Sequence, residues 1–306
     1  MHIPNGFLDA KTIAVTSAAS AGILTVSLKK TKAYLEDKQI PLISVVAAFV
    51  FAAQMLNFPI AAGTSGHFLG AVFAAILLGP WEAFLVMTLV LSIQCFVFQD
   101  GGLTALGANI FNMGVVGVFA GFLIYFFLRR LKIKLSISAF IASWASVVMA
   151  AGITALELAI SGTTPLIQSL TAMVSFHCLI GLGEGFITVA ALSVIFMARP
   201  DLLKEKAFSK KITGLVAGLL ITAFFAALVL SPFASSLPDG LEKVAHNLGF
   251  ISKEAPSNFS VISDYQFPWV KNKSLATSIA AGVGVLAVLA VGSGFFLVLR
   301  GREDGA

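Results

Sequence analysis

Nine long runs of mostly apolar residues decide what this chain can fold into. They lie near 12–28, 41–57, 66–79, 81–98, 106–128, 137–160, 169–197, 212–232 and 275–299. A helix that crosses a bilayer needs about 20 mostly apolar residues, and lipid leaves no other hydrogen-bond partner for its backbone. The run at 66–79 is short for this and predicts a tilted or partial span. At 58% hydrophobic and 11% charged residues, the chain lies well outside the composition of a soluble domain. The expected fold is an all-α polytopic membrane protein in the lipid bilayer, a seven-helix bundle plus two additional transmembrane helices.

The net charge of +5 does not point to nucleic acid, because the basic residues form no single patch. They follow the positive-inside pattern. Lys29, Lys30, Lys32 and Lys38 come after the first run, and Arg129, Arg130, Lys132 and Lys134 after the fifth. Arg199, Lys204, Lys206, Lys210 and Lys211 follow the seventh, and Arg300 and Arg302 the ninth. The connectors at 58–65, 99–105 and 161–168 carry no Lys or Arg. Lys11 and four lysines in the long segment 233–274 are the exceptions, and long segments translocate largely regardless of charge. The expectation is an N-terminus outside and a C-terminus inside.

Three parts are expected: a seven-span unit at 1–198, a charged cytoplasmic linker RPDLLKEKAFSKK at 199–211, and a two-span module at 212–306 whose external segment is 233–274. Cys95 and Cys178 fall inside predicted spans and read as small packing residues. Small residues four apart, Ala10, Ala14, Ala18 and Gly22, and separately Gly117 and Gly121, favour close helix approach. The first expectation for both sets is packing inside the bundle, and the second is a docking face for another membrane subunit. Ser17-Ala18-Ala19-Ser20-Ala21 has the small residues of a cleavage site, but no basic region and only a brief apolar run precede it. The N-terminus, with Met1 shielded from trimming by the bulky His2, is expected to be retained.

That retention matters because MHIPNGFLDA places a histidine second. The α-amine of Met1, the backbone nitrogen of His2 and its ring nitrogen can lie in one plane as two fused chelate rings. Taken alone, His2 reads as a terminal residue without a fixed partner, and His67 in GTSGHFLG as a loop histidine capping a helix. Both fall on the outer side, however, and the turn formers Pro4 and Gly6 allow the N-terminus to fold inward. His67 would then supply a fourth nitrogen. Square-planar nitrogen ligation selects Ni(II) or Cu(II) over tetrahedral Zn(II). His177 is expected to be buried and hydrogen-bonded, and His246 solvated. Glu82, Glu157 and Glu184 are intramembrane or membrane-edge acids and functional candidates for that reason. For Glu184 a helix-packing hydrogen bond is expected, since His177 lies about two turns away.

There is no G-x-x-x-x-G-K-[ST] motif, so no ATP is bound through a P-loop and no ATPase activity is expected. Two other readings stay open. Ser65 in Gly63-Thr64-Ser65-Gly66, with His177, allows a rhomboid-like intramembrane serine protease. Glu184 and His177 allow an ion-coupled secondary transporter.

MHIPNGFLD, GTSGHFLGA, QDGGLTALGANIFNMG and GLGEG together resemble the substrate-binding membrane subunit of energy-coupling-factor nickel/cobalt transporters, over roughly residues 1–198. The stretch SPFASSLPDGLEKVA is similar to the two-span accessory subunit of the nickel branch, fused here. The resemblance implies a capture subunit in the cytoplasmic membrane of a prokaryote, with Ni(II) or Co(II) as the transported ion and no resident cofactor. It implies metal ligands at Met1, His2 and His67, and as partners a transmembrane coupling subunit and cytoplasmic ATPases. Asn5 stands where the family usually has an acid.

Overall fold

The computed structural model describes residues 1–199, 212–257 and 261–301. The expected linker, apart from Arg199, lies outside the described residues. Helices run α1 Ala10–Lys32, α2 Ile40–Gln54 and α3 Ala71–Leu78, then α4 Pro80–Phe98, α5 Leu106–Arg130, α6 Leu135–Ile160 and α7 Leu166–Ala198. They continue as α8 Thr213–Phe233, the short α9 Gly240–Leu248 and α10 Lys273–Arg300. A small antiparallel hairpin pairs β1 Phe58–Ile60 with β2 Thr64–Gly66, Phe58 opposite Gly66.

Among the described residues, seven helices are long and apolar enough to cross a membrane: α1, α4, α5, α6, α7, α8 and α10. The runs at 41–57 and 66–79 form shorter helices than their apolar length suggests. Eight residues of α3 rise only about 12 Å, well short of a hydrocarbon core of about 30 Å. Its bounds are set by Gly70 and Gly79, whose φ of +78° and +101° leave the helical region. In α2, of 15 residues, all but Pro41 are buried. A helix apolar on every side belongs in an interior, and α2 is the central element on which α10 and α8 pack.

The amphipathicity of α1 is inverted. Thr12, Thr16, Ser20, Ser27 and Thr31 face the bundle, and Ser20 Oγ donates to the Gly107 carbonyl at 2.8 Å. Ala10, Ala14, Ala18 and Gly22 are exposed, so the expectation that this small-residue stripe packs internally is corrected: it faces outward. A helix in lipid gains nothing from turning apolar residues inward, whereas its hydroxyls need partners. Gly117 and Gly121 do pack inside, a Cβ on Gly121 falling 2.4 Å from the Val72 side chain.

The alternating helices bring residues 1–9, the hairpin, 99–105, 161–165 and the segment after α8 together at one end of the bundle. Thr163 Oγ1 donates to the Phe7 carbonyl, Ala255 N to the Asn5 carbonyl, Ser65 N to the Pro238 carbonyl, and Lys253 Nζ to the carbonyls of Gly162 and Thr163. The other end holds the Lys-bearing end of α1 and an ion pair of Arg300 with Asp37. Within the segment after α8, α9 is capped by Asp239 and turns Leu241, Val244 and Ala245 inward.

Candidate metal centre

The N-terminal segment is placed by its main chain. Ile3 is fully buried; its N–H donates to Asn109 Oδ1 at 2.8 Å, and its carbonyl accepts from Asn109 Nδ2 at 3.1 Å and Gly102 N at 2.8 Å. A Cβ on Gly102 would fall 2.2 Å from Asn5 N, so the two backbones can approach this closely only at glycine. Asn5 Oδ1 accepts from the N–H of Thr104 at 3.0 Å and its hydroxyl at 2.9 Å. An acid in this place would need no different partners, which is what Asn5 supplies here: a latch. Gly6, at φ +88°, makes the expected turn.

So anchored, the terminus folds inward and brings the three expected residues together. The Met1 ammonium lies 3.0 Å from His67 Nε2 and donates to Asp239 Oδ2 at 2.5 Å. The rings of His2 and His67 stack, with centroids 5.4 Å apart and planes inclined by 21°. His67 follows the hairpin directly, and its loop is gripped from both sides. Glu184 on α7 accepts from Leu69 N at 2.5 Å and Gly70 N at 2.9 Å, while Gln54 Nε2 donates to the Leu69 carbonyl at 2.8 Å. This is the packing role expected of Glu184, and it joins α7 to the N-terminus of α3.

The hydrogen bonds fix the histidine tautomers. His67 Nδ1 is 3.1 Å from the Phe68 carbonyl and must donate, leaving the Nε2 lone pair toward Met1. For His2 a chain of amides decides. Gln54 donates to a carbonyl, so its Oε1 accepts from Gln94 Nε2 at 2.8 Å, and Gln94 Oε1 therefore faces His2 Nε2 at 3.2 Å as an acceptor. His2 Nε2 is then a donor. Its Nδ1 lies 3.0 Å from Asp100 Oδ1, and Asp100 also accepts from the Tyr265 hydroxyl at 2.7 Å. Gln94 is buried and begins a π-helical turn, Gln94–Phe98, at the end of α4.

Electrostatics follow from burial and the terminal charge. Burial, then the nearby N-terminal charge and His2, push His67 down to about 3, so its ring is neutral. Burial alone would raise Asp239, but the N-terminal ammonium beside it outweighs this and holds the carboxyl well below the usual range. For Asp100, burial is likewise outweighed by His2 and by the hydrogen bonds of His2 and Tyr265. Among the described residues no group of three or more His, Cys, Asp or Glu side chains is arranged to hold a metal ion. A nitrogen site here depends on the amine.

The other candidates lie elsewhere or are engaged. His246 is exposed on α9, 3.8 Å from Glu242. Glu157 on α6 accepts from Asn112 Nδ2 at 2.6 Å, and Glu82 stands in the first turn of α4. Ser65 Oγ donates to the Leu237 carbonyl at 2.7 Å and His177 Nδ1 to the Met173 carbonyl at 2.7 Å, an arrangement that gives no support to a Ser–His nucleophile. Little in the sequence singles out Asp239, Asp100 and Gln94. Asp100 and Asp239 stand in QDGG and PDGL, within the stretches that carry the resemblance, Gln94 lies inside an apolar run, and each meets its partner far along the chain.

Fold and site together define a helical, multi-pass membrane protein with a nitrogen-lined pocket at one end of its bundle. The chain belongs to the family described as the cobalt uptake substrate-specific transmembrane region, whose model matches residues 2–202, and residues 213–301 match a PDGLE domain. It is 40% identical to a putative fused nickel transport protein NikMN of Archaeoglobus fulgidus, over 95% of this chain and 97% of that one. It is 36% identical to the fused nickel transport protein NikMN of Rhodobacter capsulatus, over 67% of this chain and 65% of that one. A crystal structure of a truncated transition metal transporter superposes with a TM-score of 0.60 at 36% identity, covering 65% of this chain and 99% of that one.

Proposed function

We propose that this chain captures Ni(II), or Co(II), from outside the cytoplasmic membrane of a prokaryote as the substrate-binding subunit of an energy-coupling-factor importer. Residues 1–198 are the capture unit, 199–211 the cytoplasmic linker and 212–306 the accessory module, with the N-terminus outside and the C-terminus inside. The names of the relatives support nickel or cobalt as substrate. A transmembrane coupling subunit and cytoplasmic ATPases would supply the energy.

The observation that carries the reading is the Met1 amine 3.0 Å from the lone-pair nitrogen of His67. Nitrogen donors about 2.0–2.1 Å from a metal stand about 3 Å apart across a right angle, the spacing expected of neighbouring corners of a square. The Met1 amine, the His2 amide nitrogen and His2 Nδ1 would supply three corners and His67 Nε2 the fourth. The tautomers favour this assignment: Gln94 keeps His2 Nε2 protonated, so Nδ1 is the nitrogen left for the metal, as outer partners do for ligating histidines. Binding would replace the ammonium–Asp239 and His2–Asp100 contacts and release protons, so affinity falls as pH falls.

The test is a Ni(II) titration of the purified chain. Wild type should develop the visible absorption of planar nickel, and His2→Ala and His67→Ala should lose it with at least about a hundredfold weaker binding. His246→Ala should match wild type. Planar absorption that survives His2→Ala would sink the assignment.

A further inference from the structure

Against the site, on the side toward the bundle interior, is a cavity of about 10 Å³ that Met1 and His67 line together with His177 and Gly240. That is about the volume a single water or small ion requires. His177 stands about three turns into α7 and is almost wholly buried. Its Nδ1 donates to the Met173 carbonyl at 2.7 Å, which fixes Nε2 as the nitrogen with the lone pair. That Nε2 has no hydrogen-bond partner.

A buried acceptor without a partner is costly, and native proteins rarely leave one unless something else comes to it. Here the space before it is kept open. Gly240 forms the opposite wall, and a Cβ there would stand 3.0 Å from His177 Nε2 and 2.6 Å from Cε1. The wall is supplied by the residue next to Asp239, the partner of the Met1 amine.

We propose that His177 Nε2 is a second ligand for the captured ion, at an inner position that shares His67 with the outer square. This rests on the metal-capture reading. An imidazole nitrogen whose lone pair faces a small cavity suits a borderline transition-metal ion, not a hard cation that demands oxygen. An ion held by His67 could exchange the amine and His2 for His177 without ever losing all its nitrogen ligands. The ion would move from the terminal segment to the body of the bundle.

The experiment uses the full chain in nanodiscs, titrated with Ni(II) and separately with Co(II). Wild type is measured first; if it binds neither ion, the capture reading itself fails. His2→Ala then removes the outer chelate, and His177→Asn is added to it. Asn keeps an amide donor for the Met173 carbonyl and deletes only the Nε2 position. The expected result is residual binding in His2→Ala with a non-planar spectrum, weakened at least about tenfold by His177→Asn. Gly240→Ala, which fills the cavity from the other wall, should weaken it similarly, with thermal unfolding of the metal-free variants confirming the fold. If His2→Ala retains no binding, or if His177→Asn leaves its residual binding unchanged, the inner position does not exist and the cavity holds water.

Discussion

Around the Met1 amine, two histidines are given different hydrogen-bond roles by their neighbours. His67 donates from Nδ1 and keeps Nε2 bare, whereas both ring nitrogens of His2 face acceptors, Gln94 and Asp100. The pH dependence follows from His67, whose folded value is lowered from 6.5 to about 3 by burial and by the adjacent positive charges. Below pH 6.5 the unfolded chain takes up a proton on His67 that the folded chain refuses, so folding stability falls as pH falls through that range. Asp239 acts lower: its depressed value contributes stability above 3.8 that is lost as pH drops through the folded value. Relative to a His67→Gln protein, the metal-free wild type should therefore lose unfolding temperature between pH 7 and pH 5. His67→Gln should flatten that slope, and an equal slope in both proteins would contradict the assignment. Met1 and His2 stand out in the sequence because an amine and a second-position histidine are chelators by covalent structure alone, whereas His67 enters only through its place on the same side and the resemblance. Asp239 does not stand out, because it meets the amine across 238 residues and nothing near it in the chain records that.

Directly after the histidine loop comes α3, the element that the apolar pattern describes least well. Its run reads as a short span, yet eight residues are helical, and Gly66–Gly70 are spent on carrying His67 into the site. Hydropathy counts apolar residues and is blind to the positive φ of Gly70. The break before α4, by contrast, coincides with the breaker pair Gly79-Pro80. The loop depends on Glu184, whose two oxygens receive the N–H groups of Leu69 and Gly70 deep in the bundle. Glu184→Ala leaves both N–H groups buried without partners, at about 1–3 kcal/mol each. It should lower the unfolding temperature and weaken nickel binding together, although Glu184 touches no proposed ligand. Nickel affinity unchanged in a destabilised Glu184→Ala protein would show that the loop is positioned by other contacts.

Across the whole molecule, the Lys-bearing end of α1 and the ion pair of Arg300 with Asp37 lie at the end of the bundle away from the site, in keeping with the orientation proposed from the positive-inside pattern. The outward face of α1 was harder to read, since small-residue spacing is the same whether it packs within a bundle or outside it. If the proposed orientation holds, His246→Cys should be labelled by a membrane-impermeant thiol reagent on intact cells, and Lys30→Cys only after permeabilisation. Both positions are exposed, and Cys95 and Cys178, which are free, would first be replaced by alanine. The reverse pattern would place the metal centre on the cytoplasmic side and end the uptake reading.

The metal-capture reading stands or falls on the Met1 amine as a ligand. Ni(II) titration of the purified chain, with its amine free and with one glycine inserted ahead of Met1, tests it most directly. The free chain should bind tightly with the absorption of planar nickel, and the extended chain should lose that absorption and at least about 3 kcal/mol of binding, more than a hundredfold. Equal affinity and the same spectrum in both would contradict it.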